Sequence, residues 1–95
     1  MVTILGRVRI EDLPAFISVF ATRGQAMRRQ HGSRSAQLFK VDQTPDEVVV
    51  VFDWSSREDF ERFTTDPAVR ETMKSSGTRG APEFTVLERV ATFPG

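Results

Sequence analysis

Apolar and polar residues alternate from Val2 to Ile10. Val2, Ile4, Val8 and Ile10 fall on one side; Thr3, Leu5, Arg7 and Arg9 fall on the other. A period of two predicts a strand. The period then lengthens. Leu13, Phe16, Ile17, Phe20 and Met27 recur at three, four or their sums, which predicts one buried helical stripe from Asp12 to about Gln30. Asp12 is the N-cap candidate and Pro14 fits the first turn. Gly32 suits the left-handed residue beyond the helix end, and Arg28, Arg29 and His31 bring positive charge to its last turn.

A second strand is expected over Arg34–Val41, and Asp42 to Asp46 carry turn chemistry. Glu47–Trp54 holds four consecutive valines followed by Phe52, so it is apolar on both faces and belongs in the middle of a sheet. Ser55 and Ser56 are N-cap candidates, and Ser55–Ser56–Arg57–Glu58 fits a capping box, for a helix that buries Phe60 and Phe63. Asp66–Pro67 restarts a helix with Val69 and Met73 inward, and Ser75–Ser76–Gly77 stops it. Residues 77–82 read as a Gly/Pro loop. Glu83–Thr92 reads as the last strand, with Phe84, Val86 and Val90 on one face and Leu87 on the other.

The order β-α-β-β-α-β predicts a single α+β domain over residues 1–95, a ferredoxin-like sandwich with a four-stranded antiparallel sheet and helices on one face. Helices on one face leave the other bare. Yet Leu5, Phe39, Val41, Val49, Val51 and Leu87 oppose Val8, Leu38, Val48, Val50, Phe52 and Val86. Burying each exposed Val, Leu or Phe is worth about 1.5–3 kcal/mol. A symmetric second copy, sheet against sheet, is the simplest cover. The expected assembly is a homodimer, a dimeric α+β barrel.

Composition narrows the function classes. With 39% apolar and 27% charged residues the chain is neither disordered nor collagen-like. It has no cysteine and one histidine, which removes thiol redox chemistry and makes a metal cluster within one chain unexpected. Net charge is zero, so the basic excess that anchors phosphates is missing, and no nucleic-acid partner is expected. The third strand also lacks the basic and glycine positions of an RNA-recognition sheet. Residues 1–40 carry seven basic and two acidic groups; residues 41–95 carry six and eleven. The imbalance reads either as a scatter of surface charge or as two halves that attract, within a chain or across a dimer. No apolar run spans a bilayer and no leader pattern opens the chain, so a cytoplasmic protein without a membrane partner is expected.

Candidate chemistry rests on single residues. His31 is the chain's one histidine, the side-chain type suited to proton transfer at neutral pH, which makes it the candidate catalytic acid or base as well as a plain cation at a helix end. Trp54 ends the central strand, where it serves core, dimer seam or ligand wall. Phe16, Phe20 and Phe52 are the further candidates for the wall of a substrate pocket.

From Met27 to Glu88 the chain resembles the small dimeric α+β-barrel proteins of the antibiotic-biosynthesis-monooxygenase and polyketide-cyclase type. Their habit is a basic, Gly-terminated helix and an "LF" strand, here Leu38–Phe39. A "DPNEVVVLFEW" segment follows, here Pro45–Asp46–Glu47 through Phe52–Asp53–Trp54, and then "SPELREAMKRAGVxGPPE". The last has counterparts in Asp66–Pro67–Ala68–Val69–Arg70 and Gly80–Ala81–Pro82–Glu83. The resemblance implies a cofactor-independent monooxygenase or cyclase acting on an aromatic, polyketide-like or quinol-like molecule. Such substrates lose a proton and react with oxygen themselves, so no flavin or metal is expected. Heme, a third possibility, would have only His31 as axial ligand. The same resemblance also covers non-catalytic small-molecule binders and stress-related proteins. Relatives often carry a His where this chain reads Arg23–Gly24–Gln25.

Overall fold

The computed structural model describes residues 1–95. The order is β1 (Val2–Ile10), α1 (Leu13–Phe20), α2 (Arg23–His31), β2 (Ser33–Lys40), β3 (Glu47–Trp54), α3 (Arg57–Thr65), α4 (Pro67–Ser75) and β4 (Thr78–Leu87). The strands form one antiparallel sheet in the order β2-β3-β1-β4. This is the ferredoxin-like α+β arrangement, and the valine-rich β3 is central as its two-faced pattern predicts. No helix is long and apolar enough to cross a membrane.

Local chemistry sets most boundaries. Asp12 caps α1 by accepting from the Ala15 N–H at 3.0 Å, and Asp66 caps α4 by accepting from the Ala68 N–H at 2.9 Å. Pro14 and Pro67 occupy first-turn positions whose N–H groups need no helical partner. Gly32 ends α2 at φ 108°, and a Cβ there would lie 2.6 Å from Ser55 Oγ and 2.7 Å from Asp59 Oδ2. Glycine is therefore required at that turn on both backbone and packing grounds.

Four expectations need correction. The first helical stripe is two helices, broken at Ala21–Thr22, and Ile17 is 44% exposed. Thr22 turns its hydroxyl back onto the Ser18 carbonyl at 2.6 Å and gives α2 no side-chain cap. Such back-bonding competes with helix propagation. Of the two cap candidates Ser55 and Ser56, α3 uses Ser56, whose Oγ accepts from the Asp59 N–H at 3.1 Å, so the capping box starting at Ser55 is out by one residue. Residues 78–82 belong to β4: Thr78 and Arg79 pair with Ile10 and Arg9, and a register shift between Arg7 and Arg9 takes up the slack. Pro82 is tolerated there because β4 is an edge strand. Finally, β4 ends at Leu87, so Val90, 95% exposed, and Thr92 lie outside the sheet.

The core lies between the helices and one sheet face. Ile4, Val8, Ile10, Val48, Val50, Phe52 and Trp54 point into it from β1 and β3 and are buried. Trp54 is fully buried, with its ring centroid 4.8 Å from Phe63, 5.4 Å from Phe60 and 5.5 Å from Phe52. Such tilted and edge-on pairs add to the stabilisation from burial. The opposite face carries no helix. Leu5, Val49 and Val51 are partly exposed there, with Phe39 at 50% and Leu87 at 38%.

Trp54 is thus the largest single contributor to the core. Trp54→Ala is expected to cost about 3–5 kcal/mol in urea unfolding. Trp54→Phe is expected to cost less, because the indole N–H it removes is buried without a partner.

Candidate ligand pocket

A cavity lies beside the break at Ala21–Thr22, between α1, α2, α4 and the strands. Its walls are Phe16, Val19 and Phe20 of α1, Gly24, Met27 and Arg28 of α2, and Val69, Thr72 and Met73 of α4 with Ser76 just beyond. Val8, Val50, Phe52 and Phe84 close it from the sheet, and Phe63 of α3 closes the side. The innermost free space is about 80 Å³, within about 590 Å³ that includes the open mouth.

The lining is apolar with three polar exceptions. Thr72 donates its hydroxyl to the Ala68 carbonyl at 2.9 Å, and Ser76 donates to the Met73 carbonyl at 2.5 Å. Arg28 is the third. Only 8% of it is exposed, its guanidinium carbon sits 3.8 Å from the centre of the Phe20 ring, and Nη1 donates to the Phe20 carbonyl at 3.0 Å. Burial lowers its pKa to about 10, so it remains a cation at neutral pH.

The antibiotic biosynthesis monooxygenase family model matches residues 1–75. The chain belongs to this family. Solved structures carry the family fold over nearly the whole chain. SnoaB from Streptomyces nogalater, described as a cofactor-independent oxygenase, superposes with a TM-score of 0.76 at 22% identity, covering 99% of this chain and 97% of that one. A family protein from Caulobacter crescentus gives 0.74 at 14% identity over 95% and 90%. One from Nitrosomonas europaea gives 0.70 at 9% identity over 96% and 100%. At these identities the likeness is one of fold. No curated protein matches the sequence.

Within this family fold the sequence candidates separate. Phe16, Phe20 and Phe52 come together in the cavity wall. Trp54 is not in the lining; it lies behind it, packed on Phe52 and Phe63. His31 is not in the lining either. Its Nε2 lies 2.9 Å from Asp66 Oδ2, and its ring packs edge-on to Phe63 at 5.8 Å. The imidazole thus ties the end of α2 to the start of α4. Sequence reasoning passed over Arg28 as one of several basic groups in a last turn. Its spacing held the signal: Phe16, Phe20, Gly24 and Arg28 are four residues apart, which sets a charge on the apolar stripe.

Two carboxylates near this clasp are held below their ordinary 3.8. Asp66 is lowered first by the hydrogen bond from His31 and then by the Ala68 N–H; Asp59 is lowered first by Ser55, helped by Arg62. The folded chain therefore holds protons on these groups less readily than the unfolded one. Their stabilisation is complete above the ordinary value and disappears as pH falls through the lower folded values. The urea midpoint is expected to drop in that acid window. His31→Ala is expected to lower the midpoint at neutral pH and to shrink the acid-induced loss, so that the two curves converge at the acid end.

Proposed function

We propose that this protein is a homodimeric, cofactor-independent monooxygenase acting on an aromatic polyketide- or quinol-like molecule held in the cavity between helices and sheet. The observation that carries the reading is the apolar cavity itself, walled by Phe16, Phe20 and Phe52, in a chain of the monooxygenase family. Trp54 stiffens that wall from behind. Flat aromatic substrates suit aromatic walls, and a site of this kind contributes orientation and exclusion of water.

The reaction class balances without a cofactor. A methylene flanked by aryl or carbonyl groups ionises to a carbanion–enolate and transfers an electron to dioxygen. The two radicals combine to a peroxide anion, which takes up a proton and loses water to leave a ketone. Overall, one methylene group and one dioxygen give one ketone carbonyl and one water. The lining holds no carboxylate or imidazole, so the first proton leaves to solvent for any substrate acidic enough to ionise alone. The same lining favours a second reading, a binder without turnover.

The homodimer is supported by the bare sheet face. Leu5, Val49 and Val51 on the inner strands and Phe39 and Leu87 on the outer ones form an apolar surface that no element of the chain covers. A second copy of that face would bury it.

Incubation with 1,8-dihydroxyanthrone is expected to accelerate oxygen uptake over buffer, with the quinone spectrum appearing. Unchanged uptake together with a raised melting temperature would establish the binder instead. His31→Ala is expected to keep most of the turnover, because the ring faces Asp66. Light scattering at micromolar concentration is expected to give twice the 10.7 kDa chain mass. Val51→Lys, which sets a charge in the middle of the bare face, is expected to give monomers.

A further inference from the structure

The inner cavity holds about 80 Å³ of free space, well short of the roughly 300–1,000 Å³ usual for small-molecule sites. A polycyclic ligand needs more room, and the adjoining groove between α4 and β4 supplies it. That groove holds about 450 Å³ and shares Phe63, Met73 and Phe84 with the cavity. Two of the three shared side chains are fixed by the aromatic cluster: the Phe63 ring lies 4.8 Å from Trp54 and the Phe84 ring 5.0 Å from Phe60. Met73 is unbranched and only partly buried, so it is the part of the common wall that can swing aside.

The far bank of the groove comes from the irregularity in β4. From Arg79 to Glu83 this strand takes four steps while β1 takes two, from Arg9 to Arg7. Gly80, Ala81 and Pro82 are left without partners on β1 and line the groove. The near bank is α4, where Arg70 and Lys74 stand one turn apart on the same face. No acidic side chain lines the groove, and neither cation enters an ion pair within the chain. Arg70 Nε donates to the Thr64 carbonyl at 3.1 Å, which orients the guanidinium and leaves its two terminal nitrogens free. The groove thus joins an apolar floor to two unneutralised positive charges.

We infer that the α4–β4 groove is an outer subsite for an elongated aromatic acid, whose inner rings enter the cavity past Met73 and whose carboxylate lies between Arg70 and Lys74. The inference rests on the pocket reading above and adds to it the ligand's length and the charge of its outer end. The carboxylate relieves the repulsion between two like charges one turn apart, and the planar guanidinium sets its direction. Arg70 and Lys74 are therefore specificity-determining groups, remote from the rings they help to place.

The test titrates biphenyl-4-carboxylate and its neutral isostere biphenyl-4-carboxamide calorimetrically into the full chain at neutral pH. The carboxylate is expected to bind about fivefold tighter at low ionic strength, with the preference narrowing in salt because the groove is open to solvent. Replacing both cations, Arg70→Gln with Lys74→Gln, is expected to erase the preference and leave the affinity for the carboxamide unchanged. Phe20→Trp, which fills the inner cavity, is expected to weaken both probes. Equal binding of the two probes by the unaltered protein overturns the inference and leaves the pocket reading intact; this comparison does not depend on any variant folding. A preference that survives the double replacement overturns it, as does unchanged affinity in Phe20→Trp, which would keep the ligand out of the cavity. Binding of neither probe also overturns it, while oxygen uptake with dihydroxyanthrone judges the pocket reading separately.

Discussion

Everything in this molecule leans on the aromatic cluster centred on Trp54. The indole ties β3 to α3 through Phe60 and Phe63, and Phe60 and Phe52 carry the contact on to Phe84 of β4. One set of rings therefore fixes the spacing of helix layer and sheet. Gly6 belongs to the same arrangement: a Cβ there would stand 2.9 Å from the Phe84 ring, so the bare backbone of β1 is what lets that ring lie close against the sheet. The rings fill one end of the layer interior. A second buried cluster, Val8, Ile10, Phe16 and Val48, lies under α1, and the pocket is lined by residues of both clusters.

Periodicity made the sheet legible because strands buried on one face write their pattern into every second residue. The two-faced run of valines in β3 gave away its central position, and capping residues at Asp12 and Asp66 marked two helix starts. The break at Ala21–Thr22 was not legible, since apolar spacing carries straight through it; the interruption comes from a threonine hydroxyl and a free carbonyl. Nor was the start of β4. Gly80 and Pro82 ordinarily end strands, and only the shifted register of β1 accommodates them.

The site was half legible for a related reason. Three phenylalanines on predicted inward faces converge because inward faces must. Trp54 was too well buried to line anything. His31 found a carboxylate 35 positions further along the chain, a pairing that no local pattern announces. Arg28 was hidden by category. A basic residue near a helix C-terminus has a ready electrostatic explanation, and its place on the stripe of Phe16 and Phe20 shows only when the spacing is read without regard to polarity.

The sheet's two margins constrain how copies of this chain can meet. Along β4, Pro82 has no N–H to offer and the register shift bends the strand. Along β2, the pairing with β3 slips between Ser33 and Ser35, and Arg34 and Lys40 add charge at the two ends. Interrupted, charged borders are poor templates for adding a further strand. Growth of the sheet sideways into ribbons or fibrils is thereby discouraged at both ends. The two-fold association proposed for the helix-free face would instead close the assembly after a single step.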